Sequence, residues 1–217
     1  MAKKHQELIA KEGWIFLFPS VLLTLVSFAL KWPIYVSSIF LLLAIWIAWF
    51  FRNPYRQIPE APDAIVSPAD GKVVGVHQLD DGRHLITIFL NVFNVHVNRC
   101  PIGGKITRIQ YIKGKFLAAF DKDASKLNER NVVEITDGDF KIEVIQIAGL
   151  IARRIICWSK ADDQVARGER FGLIRFGSRM DLILPESCDV LVKLGDIVSG
   201  GSDILAKRTD LSQEPGN

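Results

Sequence analysis

Three side chains in this sequence have the chemistry to activate a nucleophile together. A serine hydroxyl reacts poorly unless a base takes its proton, and Ser178 is the candidate nucleophile. His96, in the stretch NVFNVHVNR, is the candidate base because an unperturbed imidazole titrates near neutrality. Asp70, in SPADG, is the candidate group that fixes the imidazole tautomer. Taken singly, an Asp-Gly turn and a strand histidine are usually structural, so only the joint pattern indicates catalysis.

The elements that must position these side chains are short strands. Ser178 follows Gly177 between two apolar runs, Phe171 to Phe176 and Met180 to Leu184. Similar β-branched runs, broken by Gly and Asp, fill the sequence from the first of them, KVVGVHQL, to the last, DILAKR. The Asp137–Gly138 pair within NVVEITDGDFKIEVIQIAG predicts a hairpin. Together these patterns predict a mainly β domain, either a barrel or a sandwich.

Two apolar runs precede this domain, WIFLFPSVLLTLVSFAL from Trp14 to Leu30 and IYVSSIFLLLAIWIAWFF from Ile34 to Phe51. As helices they would each be about 26 Å long, slightly less than a hydrocarbon core of about 30 Å. Two minimal spans and a re-entrant hairpin both fit that length. We therefore predict an α-helical membrane hairpin at residues 1–52 and a catalytic domain at residues 53–217.

The charges around this hairpin predict its orientation. A single lysine, Lys31, lies within the apolar region, whereas basic residues flank both of its ends: Lys3, Lys4, Lys11, Arg52 and Arg56. Because positively charged flanks stay on the cytoplasmic side, the pattern predicts a cell-membrane protein whose catalytic domain faces the cytoplasm.

The composition argues against several other classes of protein. The net charge of +3 is too small for a nucleic-acid-binding footprint, and no aromatic–basic repeat supports one. Three cysteines lie far apart with no CxxC spacing: Cys100, Cys157 and Cys188. This arrangement argues against a disulfide framework and against a zinc site. We expect neither a metal nor a nucleic-acid partner.

The sequence resembles the phosphatidylserine decarboxylase family, most closely its short, single-domain members with an N-terminal apolar hairpin. Each resembling segment is weak alone, but their order and spacing are specific. The segments are FRNPYR (51–56), SPADGKV (67–73), FLNVFNVHVNRCP (89–101), NERN (128–131) and RFGSRMDLILP (175–185). Many longer relatives carry a second histidine where this chain has Phe93, which leaves open the group that protonates the substrate carbanion.

The resemblance implies a proenzyme that cuts itself between Gly177 and Ser178. The Ser178 hydroxyl would attack the Gly177 carbonyl, which lacks a crowding Cβ, in an N→O acyl shift with His96 as base and Asp70 as orienter. Elimination would convert Ser178 into a covalent pyruvoyl group and leave a β chain, residues 1–177, bound to an α chain, residues 178–217. The pyruvoyl ketone would form a Schiff base with phosphatidylserine and release CO2 and phosphatidylethanolamine, with no separate cofactor. Diacyl and ether serine lipids present the same headgroup, and the oligomeric state is open.

A weak internal repeat supports a different interpretation of the sequence. The segments DDQVARGERFGLIRFG and KLGDIVSGGSDILAK share a pattern that resembles lipoyl/biotinyl-like barrel-sandwich folds. The alternative function is therefore a carrier module of that fold. A carrier needs an exposed lysine at a hairpin tip, whereas the corresponding tip here holds Gly177, Ser178 and Arg179.

Overall fold

The computed structural model describes residues 7–115, 127–149, 154–175 and 178–210. Gly177, one side of the expected cleavage site, lies outside these residues, whereas Ser178 lies within them. The chain divides into two compact units, Met1–Tyr55 and Arg56–Asn217. The first unit is helical, and the second consists of strands.

In the first unit, a 3-10 turn at Lys11–Gly13 leads into two helices, α1 (Trp14–Ala29) and α2 (Ile34–Phe50). Main-chain hydrogen bonds join the segments outside the helices: Ala10 N–H donates to the Phe51 carbonyl at 2.8 Å, and Asn53 N–H donates to the Leu8 carbonyl at 2.8 Å. Both ends of this hairpin are therefore held side by side.

The helix surfaces are sorted by side-chain size. Several small or hydroxyl residues face the seam, where Thr24 Oγ1 donates to the Ser20 carbonyl at 2.8 Å. The buried residues of the two helices are Leu17, Ser20, Thr24, Ser27, Ser37, Ala44, Ile47 and Phe50, while most large apolar side chains point outward. Small residues inside and large apolar residues outside are typical of helices that pack within lipid. Among the described residues, one helical segment, Lys11–Ala29, is long and apolar enough to cross a membrane, and Ile34–Phe50 is shorter.

The second unit confirms the prediction of a mainly β domain. Its described strands are β1 (Ala64–Val66), β2 (Gly71–Gln78), β3 (His84–Leu90), β4 (Val97–Arg99), β5 (Gly104–Ile112), β6 (Arg130–Asp137), β7 (Phe140–Ile147), β8 (Ile155–Cys157), β9 (Gln164–Val165), β10 (Arg170–Ile174), β11 (Ser178–Leu184), β12 (Cys188–Val190), β13 (Ile197–Val198) and β14 (Ile204–Arg208). The resemblance to lipoyl-type folds stays a prediction.

Antiparallel pairing joins these strands into three sheets. The largest has the order β13-β2-β3-β11-β7-β6-β5-β9, and the two smaller ones are β4-β10-β8 and β1-β14-β12. The hairpin predicted around Asp137–Gly138 is confirmed, since β6 and β7 pair up to Asp137 and Phe140. Gly138 occupies the first loop position with φ 60°, a conformation that favours glycine.

The core lies against the inner face of the large sheet. Alternate residues of β11 point into it, because successive side chains of a strand face opposite sides. Met180, Leu182 and Leu184 are fully buried there, and residues from β4, β8 and β10 or from their flanking loops join the same cluster. β11, which begins at Ser178, is therefore a central strand, paired on both sides by β3 and β7.

Candidate active site

Ser178 is the first residue of β11 and lies inside the core. It pairs with Leu90 of β3, and by alternation its side chain shares a face with Met180 and Leu182. Ser178 is 0% exposed, and its Oγ has no hydrogen-bond partner among the described residues. Because a buried hydroxyl without a partner costs free energy, this is an unusual place for a serine whose role is purely structural.

A hydrogen bond between two sheets sets the position of His96 relative to Ser178. Gln146 of β7 donates through Nε2 to Asn98 Oδ1 of β4 at 2.8 Å. Gln146 pairs with Met180, so Ser178 lies two residues further along the same face of the large sheet. His96 lies two residues before Asn98, also toward the connection between β10 and β11. Ser178 and His96 are therefore each two residues away from this hydrogen bond, on the same side of it, in sheets that face each other.

The residues beside these two positions support the same juxtaposition. In the large sheet, the Ser178 position lies between β3 and β7, and in the small sheet the Ile174 N–H donates to the His96 carbonyl at 3.3 Å. The flanking side chains all belong to one core cluster: Leu90, Ala148, Ile155 and Ile174. The candidate nucleophile and the candidate base thus both lie beside members of the same apolar core cluster.

The turn before β4 orients the His96 ring. His96 Nδ1 lies 2.9 Å from the Asn94 carbonyl oxygen. A carbonyl only accepts hydrogen bonds, so in the neutral ring the proton is on Nδ1 and the lone pair is on Nε2. The Asn94 side chain accepts from the Asn91 N–H at 2.8 Å, and the Asn91 side chain accepts from the Phe93 N–H at 2.8 Å. This turn therefore holds the tautomer that a general base requires.

Asp70 is at the same end of the large sheet, but its described hydrogen bonds go to other partners. Arg56 donates to both carboxylate oxygens, at 2.8 and 2.7 Å, and the Gly200 N–H donates to Oδ1 at 2.7 Å. Asp70 immediately precedes β2, which is separated from β11 by β3 alone, a distance of about 10 Å between strands. The described partner of His96 Nδ1 is the Asn94 carbonyl, and the role of Asp70 in orienting His96 stays a prediction.

Several arginine side chains lie in the region of Asp70. Burial, followed by the nearby guanidinium groups of Arg170 and Arg56, lowers the pKa of Arg99 to about 10. Arg99 is 9% exposed and donates to the Gly168 carbonyl at 3.0 Å, so it is a buried residue. Arg170 and Arg99 face each other across β10 and β4. The carboxylate of Asp70 therefore offsets part of a locally positive cluster.

Sequence reasoning missed the amide cluster beneath Ser178 and His96. Asn131 Nδ2 donates to Gln146 Oε1 at 2.9 Å, and Gln146 Nε2 continues to Asn98. All three residues are buried. The signal was present in the sequence, since Gln146 takes an inward position after Phe140, Ile142 and Val144, where alternation calls for an apolar residue. Within the described ranges, no group of three His, Cys, Asp or Glu side chains could hold a metal ion.

Comparison with known proteins identifies relatives over nearly the whole chain. The family model described as phosphatidylserine decarboxylase matches residues 43–206. A phosphatidylserine decarboxylase proenzyme of Syntrophus aciditrophicus is 45% identical, covering 93% of this chain and 98% of the relative. Proenzymes with the same description from Symbiobacterium thermophilum and Desulfotalea psychrophila are 41% and 45% identical, over 95% and 92% of this chain and 99% and 96% of the relatives.

Proposed function

The chain belongs to the phosphatidylserine decarboxylase family, and we propose that it is a self-cleaving proenzyme that converts phosphatidylserine into phosphatidylethanolamine and CO2. The observation that supports this proposal is the burial of Ser178 and His96, both 0% exposed, in two sheets that the hydrogen bond from Gln146 to Asn98 joins beside them. Diacyl and ether-linked serine lipids share the headgroup that such a site would treat.

Self-cleavage begins with attack of Ser178 Oγ on the carbonyl carbon of residue 177. His96 Nε2 takes the hydroxyl proton as the new C–O bond forms, and returns it to the amide nitrogen as the C–N bond breaks. The product is an ester between residue 177 and the Ser178 side chain. A base then removes the Cα proton of residue 178, and the carboxylate of residue 177 leaves.

The dehydroalanine that remains at position 178 tautomerises to an imine, and water hydrolyses it to a pyruvoyl ketone with release of ammonia. The buried surroundings of Ser178 support this route, because an apolar site limits the water that would hydrolyse the ester directly. They also suit the product, since the Ser178 side chain has no hydrogen bond among the described residues to give up. Once formed, the ketone supplies an electron sink for decarboxylation of an amino acid headgroup.

The strand pairing supports a stable complex of the two chains after cleavage. The α chain, residues 178–217, contributes β11 between β3 and β7 of the β chain. Its strands β13 and β14 pair with β2 and β1 of the β chain. Covalent separation at residue 177 therefore leaves the main-chain hydrogen bonds of these ladders in place.

The helical unit supports a location at the cell membrane. The segment Lys11–Ala29 is long and apolar enough to cross a bilayer, and Arg52 and Arg56 follow the second helix. We propose that both ends of the hairpin, and with them the catalytic domain, face the cytoplasm. The shorter second helix suits either a span or a re-entrant hairpin.

The intact mass of the purified full-length protein tests self-cleavage. We expect two chains, 1–177 and 178–217, the second beginning with a pyruvoyl group, and a single uncleaved chain for Ser178→Ala. An active wild-type protein with one full-length mass and an intact serine would refute the proposal.

Borohydride separates the pyruvoyl enzyme from a carrier. Given together with phosphatidylserine, it should fix lipid onto residue 178 and abolish activity, whereas a lipoyl- or biotin-type module would carry its added mass on a lysine. The burial of Ser178 already argues against an exposed attachment tip. Trapped mass on a lysine would overturn the pyruvoyl mechanism even in a cleaved protein.

Cysteine labelling tests the orientation. Asp80 lies in an exposed turn, and Asp80→Cys in a Cys157→Ser background provides a reporter while Cys100 and Cys188 are buried. We expect an impermeant reagent to label it only after the cells are opened. Labelling in intact cells would place the domain outside.

A further inference from the structure

The side-chain amide of Gln146 has a defined orientation. Its Nε2 lies 3.3 Å from the main-chain carbonyl of Ile156, which can only accept a hydrogen bond. The nitrogen must therefore be on this side, where it also donates to Asn98 Oδ1 at 2.8 Å. The amide oxygen is left to accept from Asn131 Nδ2 at 2.9 Å. Both N–H groups and the oxygen of Gln146 are thus in use.

The small sheet has a gap that accommodates this amide. Gly172 pairs with Asn98 on one side and Cys157 on the other. A Cβ at Gly172 would lie 2.8 Å from Gln146 Nε2 and 2.4 Å from the Ile156 carbonyl oxygen. Only the absence of a side chain there lets the Gln146 amide reach across from the large sheet.

The bonds from Gln146 differ in kind from the contacts around them. Apolar contacts between facing sheets are non-directional, so they tolerate small shifts of one sheet along the other. Hydrogen bonds are directional, so a network in which both N–H groups and the oxygen of Gln146 are bonded favours one relative position of the two sheets. Gln146 pairs with Met180, two residues from Ser178, and its partner Asn98 is two residues from His96. The network therefore sets the position of the segment before β4 relative to the start of β11.

We propose that Gln146 is a positioning residue for self-cleavage: its amide holds the small sheet so that His96 faces Ser178. This inference deepens the proposed function and rests on it. Gln146 acts through Asn98 and Ile156 and touches no reacting atom. Proton transfer and attack both need alignment at hydrogen-bond distance, and a misplacement of about 1 Å can cost about 100-fold in rate.

The test is the rate of self-cleavage of the full-length chain, synthesised without cells in the presence of lipid vesicles and followed by mass after translation stops. Gln146→Met keeps the size of the side chain and removes its hydrogen bonds. We expect cleavage about 10- to 100-fold slower than in wild type. Thermal unfolding in a Ser178→Ala background should show a lowered unfolding temperature, because Asn98 and Asn131 each lose a hydrogen-bond partner, but a domain that is still fully folded at the temperature of the cleavage assay.

Gln146→Glu supplies a readout that loss of stability would not produce. A protonated glutamic acid has one O–H donor and one carbonyl acceptor, so its neutral form reproduces the bonds to Asn98 and Asn131. Burial raises the pKa of such a group. The self-cleavage rate of Gln146→Glu, divided by that of wild type, should therefore be highest at low pH and fall as the pH rises. The same ratio for Gln146→Met should not change with pH. Using the ratio removes the titration of His96, which both proteins share.

The matched controls are Gln110→Met and Gln110→Glu, on the exposed side of β5, which should cleave at the wild-type rate. Wild-type cleavage by Gln146→Met, a pH-independent ratio for Gln146→Glu, or slow cleavage that merely follows loss of folding would each overturn the inference while leaving the proposed function intact. No cleavage in the wild-type chain would overturn the proposed function and this inference with it.

Discussion

The polar side chains near the two ends of β11 form two groups that differ in charge and burial. At the Leu184 end they are charged, partly exposed and paired: Arg83 donates to Asp81 at 2.8 Å and to Glu143 at 3.1 Å. Arg83 and Glu143 border a pocket that Lys141 and Pro185 also line. At the Ser178 end, about 20 Å away along the strand, the inward-facing polar groups are neutral amides, a hydroxyl and an imidazole, all buried in the core, while the ion pair of Arg179 and Asp181 lies on the opposite face of β11.

This difference indicates where function lies. Exposed ion pairs contribute little to stability, so the charges near Leu184 can change with little consequence. A buried polar group costs free energy unless it is hydrogen-bonded, whereas an apolar side chain at the same position carries no such cost. The buried polar groups at the Ser178 end therefore indicate a functional requirement.

Replacing His96 should have the largest effect beyond loss of the nucleophile itself. We expect His96→Gln to slow self-cleavage at least 100-fold, in line with the usual contribution of a general base. The protein should remain folded, as measured by circular dichroism and thermal unfolding. Cleavage within twofold of the wild-type rate would reduce His96 to a structural residue.

Asp70→Asn should slow cleavage by an intermediate amount and also destabilise the domain. The change removes one charge from the contact with Arg56 and adds to the positive excess around Arg99. We expect a loss of about 1–3 kcal/mol in the free energy of unfolding, typical of a damaged, partly buried polar contact. Denaturant unfolding in a Ser178→Ala background measures it.

Arg56→Met distinguishes two ways in which Asp70 could act. It leaves the carboxylate held by the Gly200 N–H, so we expect a smaller loss of cleavage than for Asp70→Asn. If both variants cleave normally, the assignment of Asp70 to the catalytic group is wrong.

The turn that orients His96 should give a smaller effect. Asn91→Ala removes the acceptor for the Phe93 N–H, loosening the segment that carries the Asn94 carbonyl. We expect cleavage to be about tenfold slower, because the tautomer preference is weakened but not reversed. Phe93→Ala is the matched control: its side chain is 66% exposed, and the variant should cleave at the wild-type rate. Equal rates for both variants would show that the turn does not position the ring.

The opposite end should give the smallest effect. Arg83→Ala breaks the pairs with Asp81 and Glu143, and we expect no change in cleavage and a shift in unfolding temperature of about 2 °C or less. The hydrogen bond from Arg83 lowers the pKa of the Asp81 carboxyl below its usual value. Its stabilising contribution is therefore present above the ordinary carboxyl pKa and disappears as the pH falls through the lowered value. The difference in unfolding temperature between wild type and Arg83→Ala should therefore become smaller on acidification. Slower cleavage by Arg83→Ala than by wild type would contradict the contrast between the two ends of β11.

Several features of this protein could be determined from its sequence alone. Uninterrupted apolar runs indicate the helical hairpin, because no soluble surface could be built from them. Alternation and the Asp-Gly turn specify β6, β7 and their connection, since both are local properties of the chain. The same alternation marks Gln146 as an inward polar residue, although its partners could not be named.

Only the tertiary structure decided which inward residues meet. A period of two tells which side chains of a strand face the core, but not which strand lies opposite or in what register, because these depend on pairings between residues far apart in the chain. Ser178 therefore looked like a hairpin tip and is the buried start of a central strand. Asp70 was expected at His96 and is held by Arg56 and Gly200, while a backbone carbonyl binds the ring. A main-chain acceptor leaves no signal in residue types, so the sequence could not indicate the bond between His96 and the Asn94 carbonyl, and the catalytic roles of His96 and Asp70 stay predictions.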